Sequence, residues 1–311
     1  IGKENNMLTG AKLKLIFPGT SQARCNEVAA LINKYKDKFE INTPLRMAHF
    51  IGQIGTETDG LKKLEEDLSY FPRRVVAVFG KPKYAALFED VNSDQDKCIG
   101  VTYEDDGGTL GDGSIKYLPP PFEYSTQNEI VVAYAHPKAG ITISNLESKG
   151  IDGKDLVSKQ YNSGLLKVKS EYYGSEAKLF DVTYACRMGN RGPGSQDGST
   201  FAGKGFIHLT GRWEYKQISL KWNADPENAN NKMEFHGKDI GLLTTNLDVA
   251  MKASMYYWKR KGLNKIADGG ISNESIDKLG AKVNGTNYPT LPNSYKERRN
   301  LTNNSYKILN K

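Results

Sequence analysis

Glu57 and Glu66 are the two side chains of this sequence whose type and surroundings point most directly to chemistry. Glu57 ends an apolar run, Arg46-Met47-Ala48-His49-Phe50-Ile51-Gly52-Gln53-Ile54-Gly55-Thr56-Glu57, that has the pattern of a helix. A carboxylate in the last turn of such a helix faces the negative end of its dipole, and partial burial adds to the cost of ionisation. A carboxyl that keeps its proton near neutrality can act as a general acid. Glu66 follows nine residues later, in Leu64-Glu65-Glu66-Asp67-Leu68-Ser69-Tyr70. On one unbroken helix the two would diverge by about 180° in azimuth and ~13 Å in rise. A break at Gly60 would let the chain fold back and turn both toward one cleft. Paired carboxylates of this kind cleave glycosidic bonds; in inverting enzymes they stand roughly 6.5–9.5 Å apart, leaving room for the attacking water. Two plainer roles compete: an exposed glutamate before a helix cap, and a solvated acidic cluster beside Lys62 and Lys63.

A third segment is dense in glycine. It runs from Tyr184-Ala185-Cys186-Arg187-Met188-Gly189-Asn190 to Asp197–Arg212, and includes Gly203-Lys204-Gly205-Phe206-Ile207-His208-Leu209-Thr210. Glycines let a backbone approach a ligand closely. Gly203-Lys204-Gly205 lacks the spacing and the Lys-Ser/Thr pair of a phosphate loop, so nucleotide binding is rejected. A lone His208 on a strand is more often structural than catalytic.

The ordered motifs Gly-Gln-Ile-Gly-x-Glu-Thr-x-Gly, Leu-Glu-Glu-x-Leu-x-Tyr, Arg-Met-Gly-Asn and Gly-x-Gly-Phe-Ile-x-Leu-Thr-Gly-Arg-x-x-Tyr together resemble glycoside hydrolase family 19. The family comprises chitinases and the phage endolysins and secreted toxins that degrade peptidoglycan; the second and third motifs are closer to the endolysin branch. The likeness covers about 44–70 and 184–215, with weaker agreement at Asn284-Gly285 and Arg298. It implies Glu57 as the general acid and Glu66 as the carboxylate that activates water or stabilises the oxocarbenium-like transition state. It implies Thr210 as a hydroxyl holding water or sugar, Asn284 as a substrate-binding amide and Arg298 as a cleft or structural cation. His208, Asn190 and Tyr70 complete the expected substrate-binding set. No metal ligand and no cofactor is implied. The sequence departs from the family at three places: Thr56 replaces a histidine, His208 a glutamine, and Phe201-Ala202-Gly203-Lys204-Gly205 loses one cation.

Several elements must position these residues. The spacing of Cys25, Val28, Ala29, Leu31, Ile32 and Tyr35 predicts a helix over 21–36. Thr43-Pro44 predicts a helix start, and the small residues Gly52 and Gly55 predict close packing of the helix that follows. Phe180–Met188 has a helical pattern, and Gly205–Thr210 alternates like a strand. Leu247–Trp258 reads as a buried helix, Ser275–Val283 as a short one ending at Asn284-Gly285, and Pro292–Leu309 as the last. The fold class expected is mainly α: a lysozyme-like, two-lobed helical fold with a small β element. The whole of 1–311 is expected to be one domain, with a loop and β insertion at about 95–175.

The net charge of +7 favours anionic partners, but the basic residues are scattered among acids, which argues against nucleic acid. Three cysteines at wide spacing are neither a disulfide framework nor a metal motif. No run reaches the roughly 18 apolar residues of a membrane span, and Ile1-Gly2-Lys3-Glu4 does not resemble a secretory leader. A start without Met suggests a processed chain or a piece of a longer one. The expected function is therefore cleavage of β-1,4 bonds in peptidoglycan glycan strands, as a monomer acting in the periplasm or outside the producing cell. Phage lysis or a secretion system would deliver it, and with secretion a cognate immunity protein would be a partner. An endochitinase is the near alternative. A catalytically impaired glycan-binding protein, suggested by Thr56, His208 and Ala202, is the alternative of another class.

Overall fold

The computed structural model describes residues 8–67, 180, 184, 188–191 and 195–311. The expected insertion at 95–175, Tyr70, Cys98 and Cys186 lie outside them, as does most of 180–188. The described chain is helical: α1 (Gly10–Ile16), α2 (Gln22–Tyr35), α3 (Pro44–Glu57), α4 (Asp197–Thr200), α5 (Arg212–Ala224), α6 (Leu242–Thr245), α7 (Leu247–Arg260), α8 (Leu263–Ala267), α9 (Asn273–Asn284) and α10 (Tyr295–Leu309). A mainly α fold is thus what the sequence encodes. Two compact units are present. The first comprises 1–66, 203–209 and 215–311; the second comprises 67–202 and 210–214.

In the first unit the helix ends follow from local chemistry. Thr43 accepts a hydrogen bond from the Arg46 amide at 3.1 Å and Pro44 opens α3, because proline lacks the N–H that a first turn cannot use. Ser21, Asn246 and Ser272 cap α2, α7 and α9 in the same way. Such caps are each worth about 1 kcal/mol. Gly285, at φ +71°, stops α9.

The core forms around α7, whose residues Val249–Trp258 are all buried. Phe50 of α3 meets Trp258 of α7 edge to face at 5.2 Å between ring centroids. The opposite face of α3 lies on α10. A Cβ at Gly52 would fall 2.0 Å from Thr302 Oγ1 and 3.0 Å from its backbone nitrogen, so glycine sets how closely these helices approach. Among the described residues no helix is long and apolar enough to cross a membrane. Cys25 is a free, buried thiol whose pKa burial raises.

His49, fully buried on α3, has its Nε2 2.7 Å from the Gly270 carbonyl. Burial lowers its pKa, against smaller opposing effects of that carbonyl and Asp268. Unfolding therefore exposes a histidine that protonates more readily than the folded one. The His49 contribution to stability is complete above the usual histidine value of 6.5 and is lost as pH falls below it. A plot of unfolding free energy between pH 7.5 and 5.5 is expected to fall more steeply for the native chain than for His49→Gln. Parallel slopes would contradict this.

Candidate active site

α3 delivers Glu57 at its last helical position, and the chain then reverses within four residues. Thr58 starts the reversal: its amide and its hydroxyl both donate to the Ile54 carbonyl, at 3.0 and 2.6 Å, while its Oγ1 accepts from the Leu61 amide. The Thr58 carbonyl takes the amides of Lys62 and Lys63 at 3.0 and 2.8 Å. Asp59, Gly60 and Leu61 all have positive φ, at 49°, 73° and 70°. Left-handed backbone costs roughly 1–2 kcal/mol at a residue with a Cβ. Full burial of the Leu61 side chain helps offset it. The helix ends at Glu57, three residues before the expected break at Gly60, and 58–67 continue in turns and a single bridge at Glu65.

The reversal brings Glu66 to the 203–209 segment. The Glu66 amide donates to the Gly203 carbonyl at 2.7 Å, and the Gly203 amide donates to Glu66 Oε2 at 3.0 Å. The Gly205 amide donates to the Leu64 carbonyl at 2.8 Å. Lys204 and Leu209 pair across a tight turn. A Cβ at Gly203 would stand 2.8 Å from His208 Cβ and 3.2 Å from Glu66 Cβ, so the absent side chain is what allows these two residues to come together. The expected strand over 205–210 is not formed. Gly205 at φ +82° and His208 at φ +50° bend the segment, leaving isolated bridges from Lys204 to Glu65 and Leu209.

Six charged or titratable side chains lie here: Glu57, Glu66, Lys204, His208, Tyr215 and Arg298. Burial pushes the Glu66 carboxyl pKa up, against the Gly203 amide and the charges of His208 and Lys204; the neighbouring charge of Glu57 raises it further. Glu57 is not the isolated carboxyl that its helix end suggested. Its Oε1 lies 2.6 Å from Arg298 Nη2, and its Oε2 lies 3.8 Å from His208 Nδ1. Arg298 is 3% exposed and every part of its guanidinium is used: Nη1 donates to Gln53 Oε1 at 2.5 Å and Nε to the Asn293 carbonyl at 2.9 Å. His208 places Nε2 3.1 Å from the Lys63 carbonyl. Fully buried Tyr215 has its pKa pushed well above the usual phenol value by burial and then by Glu66 and Glu65, and its phenol is hydrogen-bonded to the Lys204 main chain.

Of the expected site residues, Glu57, Glu66, His208 and Arg298 are brought together. Asn284 is one step removed: its Oδ1 accepts the Asn293 amide at 2.5 Å, and Asn293 in turn holds Arg298. Thr210 and Asn190 belong to the second unit. Thr210 is half-buried. Asn190 is 1% exposed, its Nδ2 donating to the Tyr184 carbonyl at 3.1 Å and its Oδ1 accepting the Arg212 amide at 2.8 Å. Its amide braces the start of α5. Gln53 and Asn293 were not singled out from sequence. Gln53 could have been, since it lies one helical turn before Glu57 and must share its face; nothing marks Asn293, which acts through its backbone.

No family model matches the chain. Over 105 residues it is 29% identical to a Haemophilus influenzae protein named glycosyl hydrolase family 19 domain-containing protein. The shared stretch is 33% of this chain and 42% of that relative, so the chain spans less than half the relative's length.

Proposed function

We propose that the chain is a glycoside hydrolase of the family 19 type that cleaves β-1,4 bonds in the peptidoglycan glycan strand. One observation carries the proposal: Glu57 and Glu66, nine residues apart, are turned by the strained reversal at 59–61 so that both interact with His208. The partial likeness to a relative named for this family supports it. In this mechanism Glu57 protonates the leaving glycosidic oxygen. Glu66, whose raised pKa makes it a stronger base than an ordinary glutamate, takes a proton from the water that attacks the anomeric carbon. Arg298 stabilises the carboxylate left on Glu57 after its proton departs, which is charge that develops in the transition state.

Peptidoglycan is preferred to chitin because a chain of net charge +7 suits a wall with acidic peptide stems. Acting on that wall, a lysozyme-like monomer would work in the periplasm or outside the producing cell. Purified peptidoglycan and colloidal chitin, digested side by side with mass analysis of the products, test the choice. Muropeptides from peptidoglycan are expected; sugars released from chitin alone would overturn it.

A further inference from the structure

We propose that His208 stores the proton that Glu57 delivers, so that the two side chains form a single proton-donating dyad; the proposal rests on the glycosidase mechanism above. The ion pair with Arg298 requires a Glu57 without its proton, whereas the leaving oxygen needs a proton from that carboxyl. The two Glu57 oxygens have different partners. Oε1 belongs to the guanidinium at 2.6 Å, and Oε2 looks toward an imidazole nitrogen at 3.8 Å.

The other ring nitrogen fixes which proton can move. The Lys63 carbonyl can only accept, so Nε2, 3.1 Å away, carries a hydrogen in either charge state of the ring. The exchangeable proton is then the one on Nδ1, the nitrogen that faces Glu57. Backbone geometry sets where the His208 side chain starts, through its left-handed turn and a close approach that the missing Cβ of Gly203 permits. Two carboxylates and two paired cations surround the ring. Glu57 faces it from α3 and Glu66 from the reversed segment; Lys204, on the ring's own hairpin, is paired with Glu65, and Arg298 of α10 is engaged by Glu57.

The proton balance is simple. In the resting dyad the proton is on His208 Nδ1 and Glu57 is a carboxylate. As substrate enters, Nδ1 and Glu57 Oε2 close from 3.8 Å to hydrogen-bond distance, an approach of about 1 Å, and Nδ1 gives its proton to Oε2. Glu57 passes a proton to the glycosidic oxygen as its bond to the anomeric carbon breaks. Water adds to that carbon and loses its own proton to Glu66. The cycle ends with neutral His208, ionised Glu57 and protonated Glu66. Transfer from Glu66 back to Nδ1 restores the start, with no net gain or loss.

The dyad has a consequence that a glutamate acting alone does not. Activity persists upward to the pH range of an imidazole, ~6.5, and not merely that of a carboxylic acid, ~4.3. In His208→Gln the amide can still donate to the Lys63 carbonyl but cannot store a proton. The alkaline limb of its kcat/KM profile is expected to move down by about two pH units, so that the loss grows with pH and reaches about 100-fold at pH 7. Equal loss at every pH, or an unmoved limb, overturns the proposal. A second measurement is independent of turnover. Ring-nitrogen NMR of the native chain, with His208 assigned by its absence in His208→Gln, gives its titration midpoint. That midpoint is expected to fall in Glu57→Gln, where the imidazolium has lost a partner; an unchanged midpoint overturns the dyad. If neither glycan is cut by the native chain, the glycosidase mechanism fails on its own terms while the NMR titration still reports on the dyad.

Discussion

Glu66→Gln is expected to lose between about a hundredfold and ten-thousandfold in hydrolysis rate while melting at a higher temperature than the native chain at pH 7. Both effects come from one cause. The native carboxylate is held largely out of water, which raises its pKa above the ordinary 4.5. The folded state thus binds this proton more tightly than the unfolded state does. Its contribution favours folding at low pH and is lost as pH rises through the unfolded and then the folded value, so the ionised form burdens the fold at neutrality. Glutamine is neutral throughout, and its amide oxygen can still accept the Gly203 amide hydrogen that now goes to Oε2. The gain in melting temperature should be present at pH 7 and absent below about pH 4, where both carboxyl states are protonated. An equal offset at the two pH values would mean that packing, not ionisation, separates the variants.

Arg298→Met is expected to cost about 3 kcal/mol of stability or more, and most of the activity. Removing one partner from a buried, hydrogen-bonded ion pair typically costs ~3–5 kcal/mol; the lower end applies because Glu57 retains 16% side-chain exposure. Three acceptors lose their donor at once: Gln53 Oε1, Glu57 Oε1 and the Asn293 carbonyl. Lysine should not rescue, since an ammonium cannot reproduce the planar set of donors that reaches α3 and the Asn293 loop together. Urea unfolding midpoints of Arg298→Met and Arg298→Lys measure this. A change within ~0.5 kcal/mol, the range of an ordinary surface substitution, would contradict the role assigned to the guanidinium.

What could be foreseen in the sequence was local. Thr43-Pro44 and Asn284-Gly285 act through chemistry within a turn of themselves, and the period of Leu247–Trp258 reports a helix buried on most of its surface. The close packing implied by Gly52 was also legible, although not that Thr302 would be what it meets. α1 and α5 were not foreseen. The first has seven residues, and the second, Arg-Trp-Glu-Tyr-Lys-Gln-Ile-Ser-Leu-Lys-Trp-Asn-Ala, scatters its apolar residues. The hairpin at 204–209 was mistaken for a strand because Phe206, Ile207 and Leu209 suggest alternation; Phe206 and Ile207 are in fact both buried, on a turn made possible by positive φ at Gly205 and His208. In the site, Glu57 and Glu66 stood out by type. Arg298 was expected through the family resemblance as a cleft or structural cation, but its pairing with Glu57, 241 residues away, was not, nor was the pairing of Gly203 with Glu66 across 137 residues.

The most direct test of glycan cleavage with Glu57 as the acid is the release of products from purified peptidoglycan by the native chain and by Glu57→Gln, read by mass spectrometry beside a folded-state check. Glutamine can accept hydrogen bonds from Arg298 but has no acidic proton to deliver. The native chain is expected to liberate muropeptides, while Glu57→Gln should fold and bind the glycan yet release about a hundredth of the product or less. Undiminished release by Glu57→Gln would show that another group supplies the proton, and the assignment of Glu57 would fail.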